Sequence, residues 1–188
     1  MVVLASQSPR RKEILRMAGI PFVVRVPGVE EVRRSGESPH AYVERLAREK
    51  ALAVEASPDE FVVAADTTVV VDNDVLEKPE SEAAAAGMLV RLSGRQHVVL
   101  TGVCIRRGDR LLTGVESTLV TFRQLTEADI QAYAASGEPF DKAGGYAIQG
   151  LASKYITRVD GCFFNVVGLP IARVYEMLLA SGYSLALG

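Results

Sequence analysis

Apolar residues open the chain in Met1 to Ala5, which reads as a short buried strand. A polar turn follows, and then Ile14, Leu15 and Ala18 fall at helical spacing, so a helix is predicted over 11–18 with Gly19 as its stop. Phe22 to Val26 reads as a second strand, and Ser38-Pro39 joins a cap to a first-turn proline, opening a helix to about Glu55. Phe61 to Asp72 is almost continuously apolar and β-branched except at Asp66, Thr67 and Thr68, a pattern that predicts strand, break, strand in a buried sheet. Ser81 caps an alanine-rich helix ending near Gly94, and His97 to Arg106 with Arg110 to Phe122 form the longest strands, a hairpin turning at Gly108-Asp109. Thr126 to Asp129 resembles a capping box for a helix to Ala135, and Pro170 starts a last amphipathic helix through Leu179. Between these two helices lies a glycine-rich stretch, Glu138 to Gly168. The order predicts a mixed α/β fold, a twisted sheet flanked by helices and bilobed around a cleft.

At 188 residues the chain can bury a full core, and it holds no repeat, low-complexity tract or Pro/Gly/Ser-rich linker, so one domain over 1–188 is expected. Hydrophobic residues make up 48% and charged residues 23%, which leaves no long disordered arm. The formal net charge of -2 and the lack of a long Lys or Arg run exclude a nucleic-acid polymer as partner, while small anions remain open. Cys104 and Cys162 form neither a Cys-x-x-Cys pair nor a disulfide framework and suit a reducing compartment. The apolar start lacks a basic flank and is cut short by polar Ser6 to Lys12, so neither a signal peptide nor a membrane span is expected, and cytoplasmic residence is the default.

Five segments carry candidate chemistry. Leu4-Ala5-Ser6-Gln7-Ser8-Pro9-Arg10-Arg11-Lys12 places two hydroxyls and three cations at a strand-to-helix junction, where backbone N–H groups and arginine forks suit phosphate oxygens. The plain alternative is a capped helix with solvated basic residues. Asp66 follows the apolar run Val62-Val63-Ala64-Ala65, and a carboxylate at a strand end is costly to bury unless paired, hydrogen-bonded or metal-bound. A turn cap through Thr68 is the competing reading. Glu30 and Glu31, and also Glu77-Lys78-Pro79, put charge on loops near strand ends, where such residues are most often only surface. In Asp141 to Gly150, three glycines allow close backbone approach to a ligand and Gln149 can donate and accept at once, although a mobile surface loop would read the same way. Together these segments offer cations for a polyphosphate, carboxylates for a divalent metal and water, and an amide able to read a base edge. Gly-x4-Gly-Lys-Ser/Thr is absent, so side chains and a helix start must hold the phosphates.

From Leu4 to about Leu179 the sequence resembles the Maf family, in ordered blocks: Leu-Ala-Ser-x-Ser-Pro-Arg-Arg at 4–11, Ala-Asp-Thr at 65–67, Lys-Pro at 78–79, Asp-Lys-Ala-Gly-x-Tyr-x-Ile-Gln-Gly at 141–150 and Val-Gly-Leu-Pro at 167–170. The resemblance implies a homodimeric Maf/ITPase-like fold with the active site in a cleft between two lobes. It implies a hydrolase of nucleotide metabolism, a pyrophosphatase that needs Mg²⁺ or Mn²⁺ and splits a nucleoside triphosphate substrate into monophosphate and pyrophosphate. Asp66 then matches the catalytic base, Ser6, Arg10, Lys50 and Lys78 the phosphate-side residues, and Glu31 an acidic residue near the metal, with Glu30 beside it as the open alternative. Arg11, Thr67 and Gln149 match the branch that acts on dTTP and UTP, with CTP and modified pyrimidine nucleotides open, whereas Trp, Gln and Glu stand there in the 7-methyl-GTP branch. Gly145 and Ala147 depart from the usual Ala and Gly of the loop.

Two rivals remain at this level. Asp66 as an aspartyl-phosphate nucleophile lacks the acid–base partner expected two positions on, where Thr68 stands. A non-catalytic nucleotide-binding regulator of cell division would have no need of a base such as Asp66.

Overall fold

Residues 1–184 are described by a computed structural model. In chain order the elements are β1 (Val2–Leu4), α1 (Pro9–Met17), β2 (Phe22–Val24), α2 (Pro39–Leu52), β3 (Phe61–Val71), β4 (Asp74–Leu76) and α3 (Glu82–Leu92). There follow β5 (Gln96–Arg107), β6 (Arg110–Phe122), α4 (Glu127–Ala134), short 3-10 turns between Glu138 and Tyr155, β7 (Ile156–Asp160), α5 (Phe163–Val167) and α6 (Ile171–Ala180).

Helix starts obey their caps. The Ser8, Ser38 and Ser81 hydroxyls accept from the backbone N–H of Arg11, Ala41 and Ala84 at 3.4, 3.2 and 3.1 Å. Pro9 and Pro39 occupy the first turn behind two of them, so α1 begins two residues before its apolar spacing becomes visible. Thr126 and Asp129 close the expected capping box on α4.

One expectation fails in an informative way. Asp66, Thr67 and Thr68 do not break the strand, and β3 runs unbroken from Phe61 to Val71 with Asp66 in its middle. The ladder uses backbone groups, so a polar side chain interrupts it only where its own polar atoms cannot be satisfied, and Asp66 Oδ1 accepts from Lys50. The true turn lies beyond, at Asp72 and Asn73, both at positive φ of 53° and 66°, from which β4 returns antiparallel. β7 and α5 were not foreseen in the glycine-rich stretch.

The sheet is mixed, in the order β2-β1-β3-β5-β6-β7 with β4 on β3. β1 runs parallel to β2 and β3, pairing Val3 with Val23 and Val62, while β6 and β7 are antiparallel. The fold is thus α/β with a mixed sheet and accompanying helices, as expected. Contacts divide the chain into two compact units, one of Met1–Asp66, Thr101–Glu116 and Gly168 onward, the other of Thr67–Leu100 and Ser117–Val167.

In the first unit, Ala47, Ala51 and Val54 at the C-terminal half of α2 and just beyond it pack on Val3, Val62, Ala64 and Cys104 of the sheet region. Burial pushes the Cys104 thiol up to about 12, so it is a packing residue and not a nucleophile. The helix comes so near β5 that a Cβ on Gly102 would lie 2.1 Å from the Val43 carbonyl oxygen. Gly102→Ala is therefore expected to cost about 1–3 kcal/mol and lower Tm by several degrees, and a calorimetric scan showing unchanged Tm would contradict this close approach.

In the second unit, His97, Phe122 and Tyr146 stack edge to face with centroids 5.0–5.4 Å apart, and His97 Nε2 lies 2.7 Å from the Tyr146 hydroxyl. Burial lowers the imidazole to about 4, leaving it neutral at physiological pH. No helix among the described residues is long and apolar enough to cross a membrane.

Candidate active site

The first unit gathers six of the expected residues through local structure. β1 ends at Leu4, and the chain turns through Ser6, whose buried Oγ accepts from the Ser8 N–H at 3.2 Å and from Arg11 Nη1 at 3.3 Å. With Ser8 capping α1, Arg10 and Arg11 fall in its first turn, where the helix N-terminus already favours negative charge. Arg11 also donates from Nε to the Gly168 carbonyl at 2.8 Å, tying the start of α1 to the turn before α6.

Lys50, in the last turn of α2, points its ammonium at two carboxylates, with Nζ 2.6 Å from Asp66 Oδ1 and 2.6 Å from Glu31 Oε1. Asp66 and Lys50 are each only 6% exposed, whereas the Glu31 side chain is 41% exposed. Asp66–Lys50 is therefore a buried ion pair and Glu31 its solvent-facing third member. Desolvation raises the Asp66 carboxyl above its ordinary range, against the opposing pull of Lys50 and then Arg11. Arg11 is affected in the reverse sense: burial lowers its guanidinium, countered by Asp66 and Glu31. Between Glu30 and Glu31, the geometry selects Glu31 for this cluster. Its loop is held by the Tyr42 hydroxyl, which donates to the Glu31 carbonyl at 3.2 Å, and by Arg45, which bonds the Val32 carbonyl and both Glu37 oxygens. Sequence reasoning missed Tyr42 and Arg45, because their partners lie 8–13 residues back in an irregular segment with no periodic signal.

Thr67, Lys78 and Gln149 belong to the second unit. Lys78 is exposed on the loop after β4, and Gln149 is exposed in the turn closed by Gly150 N–H donating to the Ala147 carbonyl at 3.1 Å. These two loops are fixed to each other, since the Gly144 N–H donates to the Glu77 carbonyl at 3.1 Å. Gly144 needs to be glycine: φ is +71°, and a Cβ would meet the Val69 side chain at 2.6 Å.

Among the described residues no group of three or more His, Cys, Asp or Glu side chains is placed to hold a metal ion, so any cation would rest on fewer protein ligands. Two carboxylates converge on one positive centre, and Mg²⁺ is commonly held by one or two carboxylates with substrate phosphates and water completing its shell.

A buried carboxylate with raised pKa, paired with a lysine and near the arginine-bearing start of α1, is the kind of perturbed group that clusters at functional sites. The family described as Maf-like protein matches residues 1–181, and the chain belongs to that family. It is 52% identical to the dTTP/UTP pyrophosphatase of Symbiobacterium thermophilum over 100% of this chain and 97% of that protein. Identity is 50% to the dTTP/UTP pyrophosphatase of Koribacter versatilis, over 96% of this chain and 94% of that one. The dTTP/UTP pyrophosphatase of Vibrio cholerae is 49% identical over 94% and 96%. Among solved structures, the Staphylococcus aureus Ham1 protein superposes on 64% of this chain and 70% of its own at a TM-score of 0.44 and 18% identity, too distant to carry function across.

Proposed function

We propose that this protein is a dTTP/UTP pyrophosphatase, hydrolysing the bond between the α and β phosphates to release the nucleoside monophosphate and pyrophosphate. The observation that carries the reading is Asp66, a buried carboxylate with raised pKa held on Lys50, in a chain about half identical to proteins of that name. Asp66 takes the proton of the attacking water, and its raised pKa brings it nearer to the operating pH, where a base works best. Lys50 holds Asp66 ionised and adds its charge to the phosphate side, which Ser6, Arg10 and Lys78 complete. Glu31 is the residue that would hold a divalent metal, which would supply charge neutralisation on the phosphates. Arg11, Thr67 and Gln149 set the preference for a pyrimidine base. The Gln149 amide presents a donor beside an acceptor, the pattern that meets O4 and N3–H of thymine or uracil.

With Mg²⁺ or Mn²⁺ present, dTTP and UTP are expected to give dTMP or UMP with pyrophosphate in one step, and EDTA is expected to abolish turnover. Chromatography of the nucleotide products with separate assays for pyrophosphate and orthophosphate decides it. Orthophosphate as the primary product would overturn the assignment, and binding without turnover would favour a nucleotide sensor instead.

A further inference from the structure

The turn that carries Gln149 is held by two side chains outside the segments that carry the candidate chemistry. The Ala147 N–H donates to the Tyr133 hydroxyl at 3.2 Å, and that hydroxyl donates onward to Glu138 Oε1 at 2.7 Å. The other carboxylate oxygen, Oε2, accepts the Leu151 N–H at 3.0 Å. One continuous chain of hydrogen bonds thus grips the backbone two residues before and two residues after Gln149. Contact is close enough that a Cβ on Gly150 would lie 2.2 Å from Glu138 Oε2, so the glycine admits the carboxylate. Tyr133 is buried, and burial followed by the bond to Glu138 raises its phenol, which keeps the proton available for donation.

We infer that Tyr133 and Glu138 are positioning residues for base recognition, setting the backbone from which Gln149 presents its amide. This rests on the proposed reading of Gln149 as the residue that meets the base. A Gln149 on a loosened turn still reaches a thymine edge, but it must first be ordered, and that cost falls on substrate affinity and not on the chemical step.

Tyr133→Phe removes the hydroxyl that accepts from the Ala147 amide and donates to Glu138, while Glu138→Gln keeps the size but cannot accept from both partners at once. Each is expected to lower kcat/KM for dTTP about tenfold through KM, with kcat within about twofold of wild type. In a Gln149→Ala background the same substitutions are expected to cost nothing further. A full tenfold loss repeated in that background, or no loss in the wild-type background, overturns the inference. Amide hydrogen exchange gives an independent reading that needs no turnover: Ala147 should exchange faster in Tyr133→Phe, and Leu151 in Glu138→Gln. Unchanged protection in both variants overturns the brace itself. Failure of the wild-type protein to hydrolyse dTTP or UTP would instead count against the function, and exchange would still decide whether the brace exists.

Discussion

Asp66→Asn is expected to lower kcat by at least about 10²-fold while leaving the fold intact. Asparagine matches aspartate in shape but has no lone pair basic enough to take a proton, and its amide can still accept from the Lys50 ammonium through its oxygen. Lys50 also keeps Glu31 at 2.6 Å, so the substitution does not strand its charge. Affinity for triphosphate should change far less than kcat, because the phosphate-side residues are untouched. Single-turnover measurement of the chemical step beside a circular-dichroism melt provides the check. Near-normal kcat in the variant would pass the role of base to Glu31.

Lys50→Met carries the second large effect, on stability as well as rate. Methionine fills the aliphatic volume but leaves Asp66 buried without its cation, and breaking a buried pair from one side typically costs about 3–5 kcal/mol. The sign with pH follows from Asp66. Its folded pKa is already raised by desolvation and rises further once Lys50 no longer opposes it. The native state then retains a proton that the unfolded chain releases, so stability is greatest below the unfolded carboxylate pKa and is lost as pH rises through the folded one. The deficit against wild type should therefore be larger at pH 8 than at pH 5 in urea titrations. The acidic limb of the kcat/KM profile should move to higher pH for the same reason. An equal deficit at both pH values would mean that Lys50 contributes packing alone.

Local chemistry made much of the fold legible. Ser8, Ser38, Ser81 and Thr126 mark their helices because a cap is a contact between residues three apart in sequence, and the Gly108-Asp109 hairpin is legible on the same grounds. β3 was misread because Asp66, Thr67 and Thr68 look like turn residues to any local rule. What satisfies the Asp66 carboxylate inside the strand is Lys50, 16 residues away on α2. β7 escaped notice because Ile156 to Asp160 is short and mostly polar, held by Leu119 to Phe122 across an irregular register. The candidate site shows the same division. Asp66 was visible as a carboxylate among buried β-branched residues, but its pairing with Lys50, the choice of Glu31 over Glu30 and the Arg11 bond to the Gly168 carbonyl are long-range facts. Tyr133 and Glu138 gave no signal, since a tyrosine on a helix and a glutamate after a glycine are ordinary surface chemistry until the fold brings them under Gln149.

The unbroken course of β3 also bears on how the chain finds its register. A strand of continuous valine and alanine has little to tell one alignment from the next, because sliding by two residues exchanges one small apolar side chain for another. The charge at position 66 removes that degeneracy. Slipped by one residue, the strand turns its carboxylate to the opposite face; slipped by two, it sets Ala64 or Thr68 where the ammonium of Lys50 waits. Either error takes the Asp66 carboxylate off its cation, a fault far costlier than any loss of van der Waals fit. The ion pair therefore distinguishes the native register of β3 from its neighbours in energy.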